Sequence, residues 1–253
     1  MASPVLLHGF TGSSASWGDG LLDALSSAGF PPGLLDVPGH GSRAGETHPS
    51  AFTLERVEEL VEEAAGPGAS PLVGYSMGGR LALAYAARNP HRVTALVLES
   101  ASPGLATAEE RAARRASDEA LARRLDEEGM EPFVAFWESL PLFATRQGLP
   151  PEVRARQRAL RLANDPRSLA ASLRGLGTGA LPSFWEALPG LALPVLLLVG
   201  GRDEKFVRIA RRMADRLPEA ELVVVPDAGH TVHLERPEAW VEAVVEFLRR
   251  EGR

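Results

Sequence analysis

The stretch Pro71-Leu72-Val73-Gly74-Tyr75-Ser76-Met77-Gly78-Gly79-Arg80 constrains this chain more than any other. A short apolar run enters G-x-S-x-G, and the helix-forming run Leu81-Ala82-Leu83-Ala84-Tyr85-Ala86-Ala87 leaves it. Strand, tight turn and helix around such a serine form a nucleophile elbow. The serine must sit at a sharp, strained bend, and side chains at positions 74 and 78 would clash with neighbouring backbone. The bend exposes the Ser76 hydroxyl at the start of a helix, where free N–H groups and the dipole favour developing negative charge. The competing reading is an ordinary helix N-cap serine.

An elbow predicts where its partners lie, in the chain order serine, then Asp or Glu, then His, with an oxyanion loop upstream. Val5-Leu6-Leu7 is a short strand ending in His8-Gly9-Phe10-Thr11-Gly12. Downstream, Pro194-Val195-Leu196-Leu197-Leu198-Val199-Gly200 precedes Gly201-Arg202-Asp203, and Leu222-Val223-Val224-Val225-Pro226 precedes Asp227-Ala228-Gly229-His230. Acid and base thus each follow a strand, and active-site residues on open parallel sheets sit at strand C-terminal ends. His230 is the expected general base for Ser76, and Asp203 the group that orients its imidazole. The backbone N–H groups of Phe10 and Met77 are the expected oxyanion donors. Weaker candidates are His8, read as structural in its H-G loop, His40, read as bracing a glycine-rich turn, and His233, further from the strand end. Glu99, at the end of Ala95-Leu96-Val97-Leu98, is the fallback acid, while Asp227 and Glu204 read as solvated loop charges.

Composition fits one enzyme-sized unit. A chain of 253 residues can bury a full core, and α/β domains of this size are commonly single. A net charge of −6 without any unopposed basic run argues against nucleic-acid binding. No apolar run approaches the ~20 residues needed to span a bilayer. The first residues lack a charged leader pattern, so no signal peptide is expected. With no cysteine, thiol catalysis and disulfides are excluded, which suits a cytoplasmic protein. The six histidines are scattered without metal-ligand spacing, so no metal is expected. Lys205 is the only lysine, Asn89 and Asn164 the only asparagines, and Gln147 and Gln157 the only glutamines. A thermophilic source or a GC-rich genome accounts for that skew equally well.

Strands are expected at about 4–8, 33–37, 71–75, 94–99, 194–200 and 221–226, with helices at about 14–28, 53–65, 77–88, 204–216 and 237–250. This alternation predicts an α/β fold with a mostly parallel, doubly wound sheet. Between residues 103 and 190 the strand signal stops, and helical stretches over 108–128, 131–139, 151–163 and 168–176 replace it. The expected division is a core of residues 1–102 and 191–253 with a helical cap, 103–190, inserted before the last two strands. A cap there encloses the site and excludes water; the plainer reading is a stabilising helical insertion.

The set H-G-F-T-G, G-Y-S-M-G-G-R, G-R-D and A-G-H resembles the α/β-hydrolase superfamily. One group within it looks much closer: the menaquinone-pathway synthases that make 2-succinyl-6-hydroxy-2,4-cyclohexadiene-1-carboxylate. The chain starts directly at its H-G strand, and Tyr75 and Arg80 bracket the elbow as G-Y-S-x-G-G-R. Pro103-Gly104-Leu105 with Arg111 and Arg114 is similar to that family's P-G-L-x-x-x-x-x-R-x-x-R pattern. Trp137, Pro141-Leu142-Phe143-Ala144 and Leu160-Arg161-Leu162-Ala163-Asn164 follow at family-like spacing, with the flanks of Arg161 the main departure.

The resemblance implies elimination of pyruvate from 2-succinyl-5-enolpyruvyl-6-hydroxy-3-cyclohexene-1-carboxylate, without a cofactor. Its substrate carries three carboxylates. Arg80, one turn after Ser76, and Arg114 and Arg161 from the cap are the implied carboxylate ligands, because a guanidinium fork binds carboxylate bidentately. Tyr75, Trp137 and Phe143 are the implied walls. A carboxylesterase or C–C bond hydrolase with the same three catalytic groups is the alternative. A non-catalytic small-molecule receptor on the same fold is the second. Oligomeric state is not legible.

Overall fold

The computed structural model describes residues 3–251. Six strands form one sheet: β1 (Val5–Leu7), β2 (Gly33–Leu35), β3 (Ser70–Tyr75), β4 (Val93–Glu99), β5 (Val195–Gly200) and β6 (Ala220–Val225). Their order is β2-β1-β3-β4-β5-β6, and every pairing is parallel. The sheet is therefore more uniform than the mostly parallel one expected. β3 to β5 are buried at nearly every position, as strands covered on both faces must be.

Helices cover both faces. α1 (Asp19–Ser27) and α10 (Pro237–Glu251) lie on one, where Leu6, Val73, Val97, Leu196 and Leu198 meet Leu25, Trp240 and Leu248. α2 (Leu54–Ala65), α3 (Met77–Arg88) and α8 (Glu204–Ala214) lie on the other, where Val5, Leu7, Leu72 and Leu197 meet Val61, Leu81 and Met213. Neighbouring residues along each strand serve opposite cores, the period-two consequence of the pleat.

Between β4 and β5 the chain is helical: α4 (Ala108–Glu128), α5 (Met130–Ser139), α6 (Pro151–Leu162) and α7 (Pro166–Leu176). α4 starts on a capping box, in which Thr107 Oγ1 accepts from Glu110 N–H and the Glu110 carboxylate accepts from Thr107 N–H. Asp165 caps α7 through the Ser168 N–H, ahead of Pro166 in the first turn. These helices have their own small core of Ala122, Leu125, Phe133, Leu169, Ala170 and Leu173.

Two local expectations change. The single helix over 14–28 is broken: a 3-10 turn, Ser14–Trp17, ends at Gly18 with φ 80°, and α1 begins after it. A left-handed φ does not continue a helix, and glycine adopts it without steric cost. The short helix α9 (Val232–Glu235) directly after His230 was not expected. No helix among the described residues is long and apolar enough to cross a membrane.

Candidate active site

The sheet order reverses between β1 and β3, since the chain runs from β1 outward to β2 and then returns to β1's other edge. Such a switch point opens a crevice at the strands' carboxyl ends. The loop His8–Gly12 leaves β1 there, and Ser76 leaves β3 beside it.

Ser76 adopts φ 52° and ψ −107°, a strained conformation for a residue with a side chain. Packing imposes it. A Cβ on Gly74 would lie 2.4 Å from Gly79 Cα, and one on Gly78 would lie 2.1 Å from the Leu7 carbonyl oxygen. Only glycines let β3, α3 and β1 approach this closely. The Ser76 N–H is held by the Glu99 carbonyl at 2.8 Å, which ties the elbow to β4.

His230 Nε2 lies 3.0 Å from Ser76 Oγ, and His230 Nδ1 lies 2.7 Å from Asp203 Oδ2. The consistent tautomer has Nδ1–H donating to the carboxylate and Nε2 accepting from the hydroxyl. The other Asp203 oxygen accepts from the Phe206 N–H at 3.2 Å, so the acid is also the N-cap of α8. Both of its oxygens are committed, which fixes the carboxylate plane. His230 is buried against Phe206, Tyr75 and Phe143. Burial lowers its pKa below the ordinary value, with Asp203 opposing. Neither Phe10 N–H nor Met77 N–H donates to an acceptor among the described residues, and both residues line the cavity at Ser76.

The other histidines and the fallback acid lie elsewhere in the network. His8 Nδ1 donates to the Gly9 carbonyl at 2.9 Å, and its Nε2 accepts from the Val37 N–H at 3.1 Å. His40 is fully buried, with Nδ1 on the Pro38 carbonyl and Nε2 unpartnered; burial pulls its pKa down to about 3. Glu99 accepts from His233 Nδ1, the His233 N–H and Trp240 Nε1. It therefore serves His233 and α10, and not His230. Asp227 is exposed and paired with Arg202, and Glu204 is exposed beside Arg208.

A cavity of about 330 Å³ opens over Ser76 and His230, walled by the sheet's loops on one side and the α4–α7 segment on the other. Tyr75, Trp137 and Phe143 line it, as do Arg80 and Arg114. The Arg80 side chain is buried; one Nη donates to the Leu176 carbonyl at 3.2 Å, and Nε has no partner. Burial first, then repulsion from Arg114, pulls its pKa down to about 10, which leaves it cationic at neutral pH. Arg114 donates from Nε to buried Asp118 at 2.7 Å, so its fork is aimed by the carboxylate four residues on. Ser100 Oγ and Ser172 Oγ, also at this cavity, are buried without partners.

Arg161 sits differently from its sequence-based expectation. It is paired with Glu138 at 3.0 Å and lines a small pocket behind Tyr75, not the cavity over Ser76. Arg146, Lys205, Phe206 and Arg212 line that cavity and were not anticipated. Lys205 and Phe206 lie two and three residues after Asp203, a positional signal that the sequence did offer. Among the described residues no group of His, Cys, Asp and Glu side chains is disposed to hold a metal ion.

A parallel sheet with this crossover, an elbow serine and a helical insertion before the last two strands define the architecture of α/β-hydrolase proteins. The chain belongs to the alpha/beta hydrolase fold family, whose model matches residues 5–237. It is 42% identical, over 96% of its length and 89% of the relative's, to a Bacillus subtilis (strain 168) protein provisionally named 2-succinyl-6-hydroxy-2,4-cyclohexadiene-1-carboxylate synthase. A protein of that name from Salmonella paratyphi C (strain RKS4594) is 33% identical over 98% of this chain and 94% of its own length. The structure of MenH from S. aureus superposes with a TM-score of 0.90 at 34% identity, covering 100% of this chain and 95% of that one.

Proposed function

We propose that the chain is a 2-succinyl-6-hydroxy-2,4-cyclohexadiene-1-carboxylate synthase, a carbon–oxygen lyase that eliminates pyruvate from 2-succinyl-5-enolpyruvyl-6-hydroxy-3-cyclohexene-1-carboxylate. The names of the full-length relatives support the activity. The carrying observation of geometry is that the Ser76–His230–Asp203 relay opens into the same cavity as the buried Arg80 and the Asp118-aimed Arg114. A basic oxygen thus faces two carboxylate-binding forks, which suits a small tricarboxylate.

Neutral His230 accepts the Ser76 proton, and Asp203 stabilises the imidazolium. The seryl oxygen takes the ring proton alpha to the succinyl ketone, leaving an enolate oxygen for the Phe10 and Met77 N–H groups. The enolate electrons then form the double bond between ring carbons 2 and 3, the existing 3,4 double bond shifts to 4,5, and the carbon–oxygen bond from carbon 5 to the enolpyruvyl group breaks. The leaving pyruvate enolate recovers a proton from the seryl–imidazolium pair, so no net proton is lost. Arg80 and Arg114 hold carboxylates, with Tyr75, Trp137 and Phe143 as walls. Arg161 acts through the wall behind Tyr75. The cap, residues 103–190, closes this chamber over the core of residues 1–102 and 191–253.

Acyl transfer to Ser76 is the competing chemistry. Intact-mass analysis of enzyme quenched during turnover separates the two: elimination leaves Ser76 unmodified, and a substrate-derived adduct on it would establish nucleophilic catalysis instead.

A further inference from the structure

Arg146 lies on the 3-10 segment Pro141–Gly148 that joins α5 to α6, and it reaches out of the insertion into the core. Its Nε and Nη2 donate to Thr231 Oγ1 at 2.8 and 2.6 Å, and Nη2 also donates to the Tyr75 hydroxyl at 3.0 Å. Those two hydroxyls are 3.1 Å apart. Tyr75 immediately precedes Ser76, and Thr231 immediately follows His230. One guanidinium therefore bridges the residue before the nucleophile to the residue after the base. Its position is set by stacking over the Phe143 ring at 4.0 Å, and it has no carboxylate partner among the described residues. A planar fork with two fixed edges can hold two hydroxyls at one spacing, which an ammonium cannot.

We infer that Arg146 is a positioning residue, which fixes the spacing of Ser76 and His230 from the cap side and keeps a cation beside the imidazole. The inference rests on the proposed relay and not on the proposed substrate. A cation at this place disfavours the imidazolium, so it acts in the same direction as the burial of His230 and against Asp203. The other charged groups around His230 are engaged elsewhere. Glu99 is tied to His233 and Trp240, and Glu235 on α9 accepts from the Gly229 and Thr231 N–H groups. Lys205 lies over the Phe206 ring on the cavity wall, and Arg161 is held by Glu138. Arg202 pairs with exposed Asp227 at the start of the His230 loop, whereas Arg146 donates to Thr231, the residue next to His230. Because Arg146 is carried by the cap segment, cap displacement would undo the spacing and the field together.

The test is the pH dependence of Ser76 phosphorylation by diisopropyl fluorophosphate, a neutral probe. The seryl oxygen–phosphorus bond forms, fluoride leaves, and His230 takes the seryl proton. In Arg146→Gln the plateau rate should fall about tenfold, the equivalent of one lost hydrogen bond. Its acid limb should also move up by about half to one pH unit as the cation disappears. Arg146→Lys should keep the wild-type limb and recover part of the rate. Thr231→Val removes the acceptor from the core side and should slow the plateau as well. A wild-type rate in both Arg146→Gln and Thr231→Val would overturn the inference. A slower Arg146→Gln with an unmoved limb would overturn it too, as would a rise in substrate KM as the sole change. No phosphorylation of the unsubstituted protein would overturn both the relay and this role. Phosphorylation without pyruvate release would count only against the substrate.

Discussion

Ser76, His230 and Asp203 are joined by two hydrogen bonds, so their contributions should not be separable. Replacing any one by alanine should lower turnover about 10²–10⁴-fold, and the double and triple variants should lose little more. Near-normal turnover in Asp203→Ala with an inactive Glu99→Ala would contradict the assignment of the acid. His230 must be neutral to accept a proton. Because burial lowers its pKa, the acid limb of kcat/KM should fall below the ordinary histidine value of about 6.5. A limb above that value in a pH–rate profile would contradict it. The positions of the three hydrogen-bonded residues were legible one by one, since each follows a strand within a few positions. Arg146 was not, because its partners Tyr75 and Thr231 lie 71 and 85 residues away and no local pattern marks such a bridge. For Arg161, the family resemblance implied a carboxylate ligand, and nothing local to its sequence showed that Glu138 on a neighbouring helix would pair with it.

At the scale of elements, all six strands were legible as short apolar runs between turns, the four central ones because buried parallel strands read that way, the edges β2 and β6 although they are only partly buried. α9 was not, being a four-residue helix without periodicity of its own, and the 14–28 stretch hid a break that Gly18 makes only by its φ. Element packing also leaves a signature in stability. The β1 loop and the turn at His40 bury two neutral histidines, and His230 adds a third. Their folded pKa values lie below the unfolded ones, so below about pH 6.5 the unfolded chain binds more protons and stability falls as pH falls. His40, pulled down to about 3, stays neutral in the fold throughout this range. It alone should cost about 1 kcal/mol between pH 7 and 5.5. Urea unfolding at the two values checks this. His40→Gln should lose correspondingly less than the parent on acidification, and an equal loss in both would contradict it.

For the whole molecule, the account turns on a cationic cavity in a protein of net charge −6. Arg80 and Arg114 concentrate positive charge at one place, so an anionic substrate should bind less tightly as salt rises, while a neutral ester should not follow. Each arginine–carboxylate contact is worth roughly 1.5–3 kcal/mol, so Arg80→Ala and Arg114→Ala should each lower kcat/KM about 10- to 100-fold. Arginine to lysine should restore only part, because a point charge cannot reproduce the fork. The most direct measurement of the central claim is to supply the enolpyruvyl substrate and follow pyruvate release by the parent protein and these two variants. The account predicts rapid release by the parent and a specific loss in both variants. Folded parent protein that hydrolyses a p-nitrophenyl ester but releases no pyruvate, or variants that release it at the parent rate, would contradict it.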